Sequence, residues 1–153
     1  MDRICIEGFP RSGNIFCQEL LIKAFPEIYI KPFNHSANSL TEEHFVLIRD
    51  PNVAISSFMS VFKESNKETS EAWWLRFHNV MLDKVSPDRW IFFDELVIDT
   101  DKVINYIGQI LKIKPVLIDH TKLNKNSSFQ SYEIHLFNKA EEFYCNLKQK
   151  AGK

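Results

Sequence analysis

Arg11, Arg49 and His35 each stand where an apolar run gives way to a turn, and the turns set what these side chains can do. Arg11 lies inside Gly8-Phe9-Pro10-Arg11-Ser12-Gly13, between a short apolar run (Ile4, Cys5, Ile6) and a segment with Ile15, Phe16, Leu20 and Leu21 at helical spacing. Strand, glycine loop and helix in that order make an anion site from backbone alone. The first N–H groups of the helix lack intrahelical partners, and the helix dipole adds partial positive charge there. A phosphate or sulfonate fits that end. Gly8 and Gly13 allow the sharp turn, and Arg11 adds a cation. A second junction of this kind is Phe45-Val46-Leu47-Ile48 followed by Arg49-Asp50-Pro51, where Asp50 suits an N-cap and Pro51 a first helical position. Ser56 and Ser57 fall on the second turn of that helix, facing what Arg49 holds. His35 lies in a polar loop, residues 32–43, that follows the apolar segment Ile28-Tyr29-Ile30-Lys31.

The first loop shares the GxxxxG part of the nucleotide-binding motif GxxxxGK[ST], from Gly8 to Gly13, but Asn14 and Ile15 stand where Lys and Ser/Thr are needed. The lysine that reaches the β- and γ-phosphates is missing, as is the hydroxyl that holds Mg²⁺. The loop therefore suits a phosphate-bearing ligand bound without a metal.

The elements that must position these groups alternate. After the helix starting near Asn14, the sequence predicts a strand at Ile28–Lys31 and a fully covered strand at Phe45–Ile48. A helix from about Pro51 to Lys63 follows, with Val53, Ile55, Phe58, Met59 and Phe62 on its apolar face. Residues 64–69 read as a polar linker. Ser70 then caps a helix from about Glu71 to Lys84, with Trp73 and Trp74 as core residues. A strand at Arg89–Phe93, a helix from Asp99 or Thr100 to about Lys112, an extended segment at Val116–Ile118, a polar loop at 119–131 and a helix at about Tyr132–Lys150 complete the chain. This order predicts an α/β fold: one P-loop-like three-layer domain over residues 1–153, with a parallel sheet of four to five strands flanked by helices.

Composition bounds the function. The 153 residues are 44% hydrophobic and 25% charged, with a net charge of −1, so nothing draws the chain as a whole to nucleic acid or a membrane surface. No apolar run approaches a membrane span. Cys5, Cys17 and Cys145 are too far apart for a metal-binding pattern and read as reduced thiols of a cytoplasmic protein.

Both junctions resemble the nucleotide-binding motifs of sulfotransferases that use 3′-phosphoadenosine 5′-phosphosulfate (PAPS). Pro10-Arg11-Ser12-Gly13-Asn14 resembles their 5′-phosphosulfate loop. Ile48-Arg49-Asp50-Pro51, with Ser57 eight residues after the arginine, resembles their 3′-phosphate motif. Ile91-Phe92-Phe93-Asp94-Glu95-Leu96 looks like a third family segment, and the three occur in family order over about residues 3–113. The resemblance implies transfer of a sulfuryl group from PAPS to a hydroxyl or amine of a small acceptor, with 3′,5′-adenosine bisphosphate (PAP) as product and no metal.

The resemblance also implies roles. Arg11, where a lysine is commoner, would neutralise the leaving phosphate oxygen. Ser12, Gly13 and Asn14 would bind the 5′-phosphate through backbone N–H groups, with Pro10 and Ile15 flanking them. Ile15 departs from the usual threonine. Phe16 falls at an adenine-stacking position, and Phe93 where some members carry a tyrosine near the nucleotide. Arg49 and Ser57 would hold the 3′-phosphate. His35 would be the general base, with altered spacing from the family's Lys-Thr-His pattern, and Glu42 or Glu43 are carboxylate alternatives. The family's C-terminal Arg-Lys-Gly segment is missing, and Lys122 and Lys125 are candidates to replace it. Two other readings fit the loop: a nucleotide kinase or NTPase with an altered motif, and a PAP(S)-binding protein without catalysis. The acceptor and the oligomeric state are not legible.

Overall fold

The computed structural model describes residues 3–119 and 132–153. The first strand comes in two pieces, β1 (Arg3–Ile4) and β2 (Ile6–Gly8), separated only by Cys5. β1 pairs in parallel with β3 (Tyr29–Ile30), and β2 pairs in parallel with β4 (Phe45–Ile48), which pairs in parallel with β5 (Trp90–Phe92). The backbone stays continuous across Cys5. Lys31 N–H donates to the Ile4 carbonyl, and Phe45 N–H donates to the Cys5 carbonyl. The spatial order is therefore β3, β1/β2, β4, β5.

Strand alternation divides the core between the two faces of this sheet. Ile4, Ile6, Phe45, Leu47 and Ile91 point to one side, against α1 (Asn14–Ala24) and α5 (Thr100–Leu111). Val46, Ile48, Trp90 and Phe92 point to the other, against α2 (Pro51–Val61), α3 (Lys67–Lys84) and α6 (Asn138–Lys150). All four residues of β4 are buried, as expected of a strand covered on both faces. The three-layer α/β reading holds, with a small sheet.

Several boundaries differ from the sequence reading. α3 begins at Lys67, because the Asn66 side chain accepts from Thr69 N–H and caps the helix one turn earlier than Ser70 would; Ser70 is fully buried instead. β5 ends at Phe92, and Phe93 opens the short helix α4 (Phe93–Ile98). α6 starts at Asn138, not Tyr132. Residues 132–137 are in neither helix nor strand, and α2 captures their backbone: His135 N–H donates to Ser56 Oγ at 2.8 Å, and Phe137 N–H to Asn52 Oδ1 at 2.8 Å. Ile15 is 55% exposed and does not belong to the buried face of α1, which is Phe16, Cys17, Leu20, Leu21 and Ala24. Among the described residues, no helix is long and apolar enough to cross a membrane.

Candidate functional site

The sheet order creates a switch point. From β1/β2 the chain passes through α1 to β3 on one side, then crosses back to β4 on the other side and continues outward to β5. In open parallel sheets, ligands bind outside the carboxyl ends of the strands at such a point. Here those ends are Gly8 of β2 and Ile48 of β4, and the residues that follow them are the glycine loop and Arg49.

The loop is shaped by left-handed backbone at Arg11 (φ 69°) and Gly13 (φ 88°). Ser12 N–H donates to the Phe9 carbonyl and closes the turn. Gly13 is the N-cap of α1 and provides no side-chain cap, so the helix's first N–H groups have no capping oxygen from it. Gly13 is also required sterically, because a Cβ there would overlap the Phe93 ring. Gly8 is similarly confined, since a Cβ there would meet the Asn14 amide. With Ser12 N–H already bonded, Gly13 and the first α1 residues offer the remaining backbone donors. Ser12 Oγ is buried without a partner.

Arg11 and Arg49 meet at this loop. Arg49 Nη1 donates to the Arg11 carbonyl at 3.1 Å, and the Arg49 guanidinium sits 4.7 Å above the centre of the Phe93 ring. Arg11 Nε donates to Ser57 Oγ at 3.0 Å, so Ser57 reaches the cluster through Arg11. Burial pushes the Arg49 pKa down, and the Arg11 charge adds to this against the opposing influence of Tyr132 and Asp50. Two guanidinium groups at a helix N-terminus form a positive corner that an anion stabilises. Phe93 is its support. The ring packs under Arg49, against Gly13 and edge-on to Phe16 at 6.3 Å. Phe16 itself is 1% exposed, so this ring packs in the core and presents no face for stacking. A cleft of about 400 Å³ runs from Arg49 and Phe93 along Val53 and Val97 to Tyr144 and Lys148.

His35 arrives from the other direction. The segment joining β3 to β4 must cross the end of β2, and Glu7 catches it there. The Glu7 carboxylate, 2% exposed, accepts from Asn34 N–H at 3.0 Å and from His35 N–H at 3.0 Å. His35 adopts left-handed backbone (φ 58°), a region in which histidine is enriched among non-glycine residues. Its Nδ1 lies 3.0 Å from the Gly8 carbonyl and 3.2 Å from Asn14 Nδ2, whose amide also donates to the Phe9 carbonyl. The Gly8 carbonyl only accepts, so that bond forms in the Nδ1–H tautomer, which leaves the Nε2 lone pair available, whereas the Asn14 amide N–H bonds Nδ1 in the Nε2–H tautomer. His35 also borders a separate cleft of about 330 Å³ walled by Phe9, Phe58, Trp73 and Phe77, with Arg76 at its edge.

The structure thus brings together Pro10, Arg11, Ser12, Gly13, Asn14, Arg49, Ser57 and Phe93, with His35 beside them and Ile15 exposed at the first turn of α1. Lys122 and Lys125 lie outside the described residues. Glu42 and Glu43 are exposed on the segment leading into β4. His44 and His78 are core residues, 3% and 0% exposed. Burial raises the Cys17 thiol to about 12, which leaves it unreactive. Among the described residues, no group of three His, Cys, Asp or Glu side chains is placed to hold a metal ion. Sequence reasoning missed Glu7. The available signal was a carboxylate within an apolar parallel strand, one residue before the glycine loop.

No family model matches the sequence, and no curated protein matches it significantly. Among solved structures, the fold is similar to that of mouse sulfotransferase SULT7A1 complexed with PAP, with a TM-score of 0.55 and 14% sequence identity. The match covers 84% of this chain and 65% of that one, so the chain spans just under two thirds of its neighbour's length. The likeness is one of fold: this chain has a sulfotransferase-like α/β architecture.

Proposed function

We propose that the chain transfers a sulfuryl group from PAPS to a hydroxyl or amine of a small acceptor. The observation that carries this reading is the meeting of Arg11 and Arg49 at the uncapped N-terminus of α1, at the sheet's switch point. A donor with separate 5′ and 3′ anionic groups needs two such holders. The PAP in the neighbour's crystal structure supports the same nucleotide here.

PAPS, when bound, supplies an activated sulfur–oxygen bond. The chain's residues would do the rest. The N–H groups of Gly13 and the first turn of α1 hold the 5′-phosphate, and Arg11 neutralises the charge that grows on the departing phosphate oxygen. Arg49 holds the 3′-phosphate through paired guanidinium bonds. His35 Nε2 takes the acceptor's proton as the acceptor oxygen bonds to sulfur. The sulfur–oxygen bond to the donor breaks in the same step, and its electron pair leaves with PAP. In the Nδ1–H tautomer, bonded to the Gly8 carbonyl, Nε2 is free to take that proton, and Nδ1–H keeps its bond to Gly8 in the imidazolium that forms.

Calorimetric titration with PAP, and with ATP in the presence and absence of Mg²⁺, tests the reading. Tight metal-independent PAP binding with weak ATP binding is expected. Mg²⁺-dependent ATP binding with PAP ignored would overturn it in favour of a kinase or NTPase. His35→Ala should retain PAP binding and lose turnover, and retained turnover would remove His35 as the base.

A further inference from the structure

We propose that the acceptor is a small aromatic hydroxy compound that also carries a carboxylate, recognised by Arg76. This rests on the transferase reading above, because it assigns the cleft beside His35 to the acceptor. That cleft, about 330 Å³, is at the small end of the range for ligand pockets. Its walls are aromatic and already packed. Phe9 tilts against Phe58 at 5.4 Å and stands edge-on to Phe77 at 6.2 Å, and all three are buried. Such walls have fixed shape and suit a flat ring.

Trp73 differs from its neighbour. Trp74 is fully buried, whereas Trp73 is 48% exposed, edge-on to Phe58 at 5.7 Å, and borders the cleft. Core packing accounts for Trp74 but leaves much of the Trp73 indole open to a ligand. Arg76 follows Trp73 by three residues on α3, so the two share a helix face. Arg76 has no ion pair or hydrogen bond among the described residues. It lines the cleft beside His35, whereas Arg49 lines the other cleft with Phe93, Tyr144 and Lys148. A cleft with aromatic walls, Ser36 and Asn38 at its lining, a hydrogen-bonding base at one point and an unpaired guanidinium at another matches a ring with a hydroxyl and a carboxylate. The hydroxyl is placed toward His35 and the carboxylate toward Arg76.

The test uses the full chain saturated with PAP, titrated with 4-hydroxyphenylacetate and with neutral 4-hydroxyphenylacetamide. Calorimetry and tryptophan fluorescence report binding without turnover. The carboxylate should bind about five- to tenfold more tightly, a preference scaled to a charge-assisted contact at an exposed arginine. Arg76→Gln should level the two ligands, and added salt should reduce the preference in the unmodified protein. Equal binding of both, absence of binding by either, or a preference that survives in Arg76→Gln would overturn the proposal. Failure of PAP to bind while the Arg76-dependent preference persists would instead overturn the donor assignment and leave the anionic ring site standing.

Discussion

Glu7→Gln tests how the candidate base is held. The wild-type carboxylate accepts two backbone N–H groups at 3.0 Å, from Asn34 and His35, and its second contact to Asn34 N–H is 3.2 Å. Glutamine keeps one acceptor oxygen and turns an NH₂ group toward the other donor. One charge-assisted bond is lost, worth about 1.5–3 kcal/mol. Two effects pull the cost downward. Asn34 and His35 are exposed, so the released N–H reaches water, and removing a buried charge relieves its desolvation. The net expectation is a loss of about 1–2 kcal/mol, read as a lower urea midpoint. The specific signature is local. Amide exchange at residues 34 and 35 should accelerate, and ¹⁵N shifts of the His35 ring should change from the Nδ1–H tautomer to a mixture. PAP affinity should stay within about twofold, because the hydrogen bonds of Glu7 run to the loop residues Asn34, His35 and Ser39. Unchanged exchange at residues 34 and 35, together with a wild-type urea midpoint, would refute the idea that this carboxylate holds the loop.

Three further outcomes follow from the geometry. Gly13→Ala places a Cβ into the Phe93 ring and forces alanine to φ 88°, so beyond about 1–2 kcal/mol of backbone strain it should displace the loop and cut PAP affinity at least tenfold by calorimetry. Arg49→Ala removes the guanidinium that touches both the Arg11 carbonyl and Phe93; it should weaken PAP about 10- to 100-fold, with a smaller effect on adenosine 5′-phosphosulfate, measured in parallel titrations. His78 is fully buried, and burial lowers its pKa from 6.5 to about 4. The unfolded chain then binds more protons between these values, so the stability linked to His78 is complete above pH 6.5 and is lost as pH falls toward 4. The loss amounts to about 3 kcal/mol. Urea titrations from pH 7 to 4.5 should show this slope, and His78→Gln should flatten it.

What the sequence revealed depended on which interactions were local. Both strand-to-helix junctions were legible because an apolar run, a glycine or proline and a cap lie next to each other in the chain, as at Gly8–Gly13 and at Ile48–Pro51. The three-layer order was legible for the same reason. The start of α6 was not, since its preceding residues are held by Ser56 and Asn52, about eighty residues away. Arg49 and Ser57 were expected to grip one ligand group jointly. In the fold they are linked through Arg11, a contact that depends on how the first loop lies over α2. Spacing put both Ile15 and Phe16 on the apolar face of α1, but only Phe16 is buried there, and that burial removes the stacking face the resemblance implied. The rotation of α1 is fixed by its packing against the sheet, and helical spacing alone leaves the first-turn residues ambiguous.

The arrangement also gives the mid-loop arginine a structural place of its own. Arg11 has left-handed backbone, which turns its carbonyl to Arg49, while its Nε reaches Ser57 on α2. One residue thereby joins the first loop to the end of β4 and to α2. Phe93 limits the loop from beneath, and the same ring sits under Arg49. The loop and Arg49 therefore rest on one aromatic side chain, the first residue of α4. On the opposite side, Glu7 and the Gly8 carbonyl fix the His35 backbone and ring, so the candidate base is referenced to the same strand that launches the loop. The glycine loop, Arg49 and His35 are tied to β2, β4 and β5, the three adjacent strands whose residues are buried on both faces of the sheet. A site anchored this way keeps its geometry through local opening of exposed segments, because each reactive group is backed by core packing or by a bond to a strand end.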